Sequence, residues 1–369
     1  MVGHIGEMIK EIGSIFPLCE LGMNESANLP NFLNLPDNLG KVHYYSLCRE
    51  ALFDIARHCS QDKGTVLLPA YTCDTVYLPF KQLGWNCEYY SINNNLSINL
   101  ESFYDSVNRI SPDVVVVHPF FGMDLCDDEM QALSYLKLKQ IKLIVDVTQC
   151  IFSGMYYDLA DFCVGSLRKW FAIPDGAFLF CKDNRTEFSN IELENTSFVT
   201  MQTGAMYLRG EFFREGDENV KVLSVKLNKL AESYACEIVV PHAMSSFSMQ
   251  VLSQQNVAEI AKRRLGNYRY LFENIHSSLV RFVCEDMSCV TSAPLYFSIY
   301  LDNPKFLQRF LASEHIYAPV IWPVGDEEVL IDDAVKNIYG SILSIPIDQR
   351  YDLTDMEKIV SLINSWKND

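Results

Sequence analysis

Nowhere in the 369 residues does an apolar run approach the ~20 residues that a membrane-spanning helix requires; Val114 to Val117 is typical of the longest. Positive charge is scarce as well. Thirty Lys and Arg against 47 Asp and Glu leave a net charge of −17, and no basic block offsets it. Such a surface repels phosphate backbones and anionic lipid, so neither nucleic acid nor membrane is an expected partner. Twelve cysteines are scattered without one C-x-x-C pair, and none of the seven histidines has a histidine four residues away. Scattered thiols, several inside apolar strands, behave as small hydrophobes in a reducing cytoplasm; a disulfide framework and a metal site are both unexpected. The segment Met1 to Phe16 carries Glu7, Lys10 and Glu11 and lacks the basic start, apolar block and small-residue site of a secretory signal. A cytoplasmic location follows as the expectation.

What the chain does have is alternation. From about Tyr44 to Lys182, short β-rich apolar runs trade places with helix-compatible stretches, the pattern of parallel βαβ units. Strands are expected at Thr65 to Pro69, Cys87 to Ile92, Asp113 to His118, Lys142 to Val147, Ala160 to Gly165 and Ala177 to Cys181. Helices are expected at Arg49 to Cys59, Asp74 to Leu83, Leu100 to Ile110 and Asp128 to Lys139. The run Val114 to Val117 is apolar on both faces, which a sheet covered by helices on each side demands. The expected fold is therefore α/β, a doubly wound and mostly parallel sheet. Asp183 to Pro241 reads as less regular, with one helical run near Val220 to Tyr234, and a long helix is expected from Phe247 toward Ile275. Beyond it, strands (Pro294 to Tyr300, Ser341 to Ile347) and helices (Pro304 to Ser313, Asp355 to Trp366) suggest a smaller α+β domain. At this length two domains are expected, 1–240 and 241–369.

In doubly wound sheets ligands bind outside the carboxyl ends of the strands, so strand-end residues are the ones to weigh. Asp146 interrupts an apolar strand near its end, as either a functional acid or an ordinary capping aspartate. After the next strand comes Ser166-Leu-Arg-Lys169, which brings an amine, a hydroxyl and the charge of Arg168 to the neighbouring strand end. Most lysines are solvated surface groups, so Lys169 gains weight only from its pairing with Asp146. The turn Tyr45 to Leu52 leads into a helix whose first amides, near Cys48 and Arg49, form an anion site without special side chains, or a plain helix start capped by Ser46. Tyr71, Thr72 and Cys73 follow the strand at Thr65 to the same edge. His118 ends another strand, as a ligand contact or as a packed histidine. An amine to carry an aldehyde, an acid to protonate a ring nitrogen and a phosphate cradle are the few protein parts that pyridoxal 5'-phosphate needs.

With these residues placed, the chain resembles the DegT/StrS-like family of pyridoxal-phosphate-dependent sugar aminotransferases, of the aspartate aminotransferase fold. The resemblance runs along nearly the whole chain: Ile12 to Phe16, Leu68-Pro-Ala-Tyr-Thr72, Val145-Asp-Val-Thr-Gln149, Ser166 to Lys169 with Asp175-Gly176-Ala177, Ala261 to Arg264 with Asn267-Tyr268, and Ile316 to Pro319 with Trp322-Pro323. It implies that Lys169 is the Schiff-base lysine, Asp146 the partner of the pyridine nitrogen and Gln149 a ring contact. Ser166 with the Cys48-Arg49 turn would hold the phosphate. It further implies a homodimer, with His242 to Ser246 as candidates to reach the other subunit, and transfer of an amino group from a small-molecule donor such as glutamate to a keto acceptor on a nucleotide-linked sugar, in polysaccharide or secondary-metabolite synthesis. Relatives in which a histidine replaces the lysine are dehydratases, so Lys169 points to transamination. Where many relatives stack an aromatic ring after Pro-x-x-Thr, this chain has Cys73, with Tyr71 as the substitute expected on the ring face. Rival readings are a pyridoxal enzyme acting on a non-sugar substrate and a binding protein that kept the fold without the reaction.

Overall fold

The computed structural model describes residues 10–18, 39–60, 63–188, 191–237 and 239–367. Cys19 and the first nine residues, which enter the readings of thiols and N-terminus above, lie outside them. The chain opens with β1 (Lys41–Tyr45), α1 (Cys48–Cys59), β2 (Thr65–Pro69), α2 (Asp74–Gln82), β3 (Asn86–Tyr90), α3 (Leu100–Ile110), β4 (Val114–Val117), α4 (Asp127–Leu138), β5 (Lys142–Asp146), β6 (Phe162–Ser166) and β7 (Ala177–Cys181). Their strands form one sheet of seven in the order β1-β7-β6-β5-β4-β2-β3. Pairings from β6 through β3 are parallel, and β7 alone runs against both its neighbours. Every residue of β4, β6 and β7 is buried, as both faces being covered requires. The expected mostly parallel α/β architecture is the one the chain adopts.

The expected strand bounds hold to within about two residues, but the sheet starts one strand earlier than the sequence suggested. β1 is an edge strand paired only with β7, half-buried along Lys-Val-His-Tyr-Tyr, so no continuous apolar run marks it.

A larger departure lies between residues 191 and 241. The helical run expected near Val220 to Tyr234 is α6 (Glu218–Glu237), and the stretch read as irregular before it holds a second 20-residue helix, α5 (Thr196–Glu215), packed on it. Their inner faces mix polar with apolar residues: Gln202, Arg209 and Ser224 are buried beside Phe198, Met206, Phe212 and Ala231, while Tyr207, Leu223, Leu230 and Tyr234 are exposed. That blurs the apolar stripe from which an amphipathic helix is read. The network behind it is ionic. Glu11, fully buried, accepts from Arg209 Nη1 at 2.8 Å and from Tyr317 Oη at 3.0 Å, and pairs with Lys221 Nζ at 2.6 Å.

The rest comprises α7 (Ser246–Ser253), α8 (Val257–Asn274), β8 (Arg281–Phe282), β9 (Tyr296–Tyr300), α9 (Pro304–Ser313), α10 (Asp333–Ser341), β10 (Ile342–Pro346) and α11 (Leu353–Ser365). The single long helix expected from Phe247 is two, because Asn256 stops the run and caps α8 by accepting from Glu259 N at 3.2 Å. A three-stranded antiparallel sheet, β10-β9-β8, has its own apolar cluster, which Ile12 joins by bridging Ile316.

Candidate active site

Strands β5 and β6 are parallel neighbours, with Asp146 opposite Val164. Their carboxyl ends therefore deliver Asp146 and the turn Leu167 to Lys169 to the same edge. That turn is anchored on both sides of Lys169. Leu167 N donates to Gly176 O at 2.9 Å, and Trp170 N donates to Leu167 O at 2.9 Å. Trp170, fully buried, donates its Nε1 to Thr148 O at 2.7 Å, and the Arg264 guanidinium lies 4.4 Å over its ring. Gly176, at φ +137°, in turn donates to Ser46 O at 2.7 Å, tying β7 to the start of α1; a Cβ there would stand 2.8 Å from Met244 Cε.

A cavity of about 250 Å³ opens over this edge. Cys48, Arg49, Cys73, His118, Asp146, Gln149, Ser166 and Lys169 all line it, so eight of the nine residues singled out from sequence share one space. Asp146 Oδ1 accepts from Thr148 N at 2.9 Å, and its Oδ2 is 3.6 Å from His118 Nδ1. Burial pulls the His118 pKa down and the Lys169 charge adds to that, against the opposing pull of Asp146, so the ring is neutral at pH 7. Its Nε2 shares a 2.8 Å hydrogen bond with Thr72 Oγ1. Gln149 is buried; its Oε1 accepts from Phe121 N at 3.0 Å, and its Nε2 has no partner among the described residues. The Cys48 and Cys73 thiols are both pushed up by burial and stay protonated, although the Lys169 charge works the other way on each. Among the described residues the Lys169 amine has no hydrogen bond or ion pair.

Tyr71 is the ninth residue, and its expected place on the cavity wall is corrected. It is fully buried, with ring centroids of Phe120, Trp322 and Tyr339 at 5.4, 5.3 and 5.0 Å. The strand-end turn points it into the interior, and Trp322, from the loop after α9, stands on the wall in front of it. Trp322 and Ile321, Thr75 on α2, Thr148 on the strand-end turn and Glu232 on α6 are lining residues that sequence reasoning did not assign. Thr148 and Trp322 lie within strings that carried the resemblance; nothing in the periodicity of α6 marks Glu232. Arg168, expected to add positive charge, is paired by Glu232, Nη1 to Oε1 at 2.8 Å and Nη2 to Oε2 at 3.2 Å. Arg49 Nη1 donates to Ala235 O at 2.9 Å and Cys236 Sγ at 3.0 Å. The segment His242 to Ser246 engages its own chain: His242 Nδ1 lies 3.2 Å from Glu50 Oε1, and Ser245 Oγ donates to Asp175 Oδ1 at 2.6 Å.

No protein-family model and no curated protein matches the sequence. Solved structures do match in fold. DesI, solved in the presence of its TDP-sugar product, is 12% identical with a TM-score of 0.61, covering 88% of this chain and 79% of that one. NtdA from Bacillus subtilis, with bound cofactor PMP, is 12% identical at TM-score 0.62, over 88% and 73% of the two chains. A DegT/DnrJ/EryC1/StrS aminotransferase from Brucella abortus is 12% identical at TM-score 0.57, over 90% and 87%. The chain has the fold of these pyridoxal-phosphate-type aminotransferases, as the sequence resemblance implied. Among the described residues no helix is long and apolar enough to cross a membrane, and no group of three or more His, Cys, Asp and Glu is arranged to hold a metal.

Proposed function

We propose that this protein is a pyridoxal 5'-phosphate-dependent aminotransferase whose cavity holds the cofactor against Lys169. One observation carries the reading: Lys169 and Asp146, 23 positions apart in the chain, line the same cavity. The other groups present fit the cofactor. The Nε2 of buried Gln149, without a partner among the described residues, is a donor suited to a ring oxygen, and Asp146 turns its Oδ2 toward His118 Nδ1 at 3.6 Å, on the cavity side. Ser166, Cys48 and Arg49, with the first amides of α1, form the place for the phosphate, where the helix dipole favours negative charge. Bound there, the cofactor supplies an aldehyde for the amine and an electron sink for the bond being broken. The residues do the rest. Lys169 would hold the aldehyde and, when its amine is free, would move the proton at the substrate carbon. Asp146 would keep the ring nitrogen protonated. Neutral His118, Trp322 and Cys73 wall the space and exclude water.

The small-molecule partners are an amino donor, glutamate, and the keto group of a nucleotide-linked sugar, an acceptor class supported by the likeness to DesI and by the family resemblance. The working form is a cytoplasmic homodimer, each protomer divided near Pro241 into a cofactor domain and a smaller one. Incubating the purified protein with the cofactor, glutamate and a panel of nucleotide keto-sugars, and reading products by mass, tests the acceptor class. An aminated nucleotide sugar is expected. Amination of simple 2-keto acids alone would assign it to a non-sugar substrate.

A further inference from the structure

The end of the cavity assigned above to the phosphate is also where α6 approaches, and it brings negative charge. Glu232 grips the Arg168 guanidinium through both oxygens, at 2.8 and 3.2 Å, a fork-to-fork pair. Three residues on, the Ala235 carbonyl in the last turn of α6 accepts from Arg49 Nη1 at 2.9 Å, so the negative end of that helix faces the second arginine. Both arginines on the cavity wall are therefore already engaged by one helix. We propose that Glu232 is a built-in competitor for the anion end of this site, occupying Arg168 so that a phosphate-bearing cofactor is held less tightly than the arginines alone would hold it. The inference rests on the cofactor reading above.

The charges of the wall support it. Lys169, Arg168 and Arg49 face Asp146 and Glu232, while the two thiols and His118 are neutral. Burial works to raise the Glu232 carboxyl, but Arg168, with Arg49 and Lys169, outweighs it and holds the group below the usual range, so it is ionised at pH 7. A dianionic phosphate arriving at this end meets that carboxylate as well as the arginines. Arg168 and Glu232 are partly buried, at 19% and 33% exposed, so the pair stands at the cavity wall and not out in bulk water. The carboxylate's effect is local to the cavity, where removing one unit charge beside a phosphate is worth about a tenfold change in affinity.

The test compares the phosphorylated cofactor with pyridoxal, which lacks the phosphate. Dissociation constants are taken from the absorbance of protein-bound cofactor during titration, for the wild type, Glu232→Gln and Glu232→Asp. Glu232→Gln keeps the shape but loses the charge and one of the two hydrogen bonds to Arg168; it should bind pyridoxal phosphate about tenfold tighter while its affinity for pyridoxal stays put. Glu232→Asp keeps the charge and should preserve the wild-type ratio between the two ligands. Weaker or unchanged binding of pyridoxal phosphate by Glu232→Gln, or an equal gain for both ligands, overturns the proposal. A wild-type protein that binds neither ligand would instead defeat the cofactor reading on which it stands.

Discussion

The cavity has two unlike walls. One is the carboxyl edge of the seven-stranded sheet, where Asp146, Gln149, Ser166 and Lys169 are placed by strand register and by anchored turns. The other is supplied by α6 and by the loop at Ile321 and Trp322, brought up by tertiary packing from distant parts of the chain. The sheet edge carries an amine and an acid, Lys169 and Asp146, and the packed wall a carboxylate and an indole, Glu232 and Trp322. On the proposed reading, the reacting groups sit where backbone geometry fixes them and the adjusting groups where packing alone does.

That division can be broken from either side. Lys169→Ala should abolish turnover, a loss of about 10³-fold or more in kcat, because nothing else on the wall offers a free amine. Asp146→Ala should lower kcat by about 10² to 10³, with cofactor absorbance retained, since it removes a charge aimed at the ring and not the attachment point. If either variant kept full activity, the sheet edge would lose its claim. Glu11→Gln tests the foundation of the packed wall: it takes the carboxylate from Arg209, 5% exposed, while Lys221 keeps Glu218 and Tyr317, and should cost about 3 kcal/mol in denaturant unfolding. Trp322→Ala should weaken cofactor or substrate binding by at most about tenfold, the scale of an aromatic contact worth 0.5–1.5 kcal/mol, with kcat little changed.

The smallest expected effect concerns pH. His118 has its folded pKa below the ordinary 6.5, so protonation favours the unfolded chain. Its contribution is intact above about pH 6.5 and is lost as pH falls. Stability should decline on that acid side by at most about 1.4 kcal/mol per pH unit, and His118→Asn should flatten the slope in urea titrations at successive pH values. An unchanged slope would mean that another group titrates there.

The same contrast explains which parts were legible in the sequence. β2, α3, β7 and α9 match their expected bounds because composition, periodicity and turn signals agree along them. Strand ends then pointed to Cys73, His118, Asp146, Ser166 and Lys169, a helix start to Cys48 and Arg49, and the family resemblance to Gln149, all on the cavity wall. Tyr71 was misjudged because a residue next to a strand end turns inward or outward according to packing, and here three rings receive it. Edge strand β1 has no buried run to announce it, and α5 buries Gln202 and Arg209 among its apolar residues, which blurs the stripe that α6 showed near Val220 to Tyr234. Glu232 lies in that expected helix, but its place on the wall comes from Arg168, 64 positions away, which periodicity does not show.

Borohydride reduction of the purified protein with pyridoxal phosphate, followed by peptide mass mapping, probes the central claim most directly. One pyridoxyl group fixed on Lys169 is the result this account requires. A label on another lysine, or none at all under conditions where the protein stays folded, would contradict it.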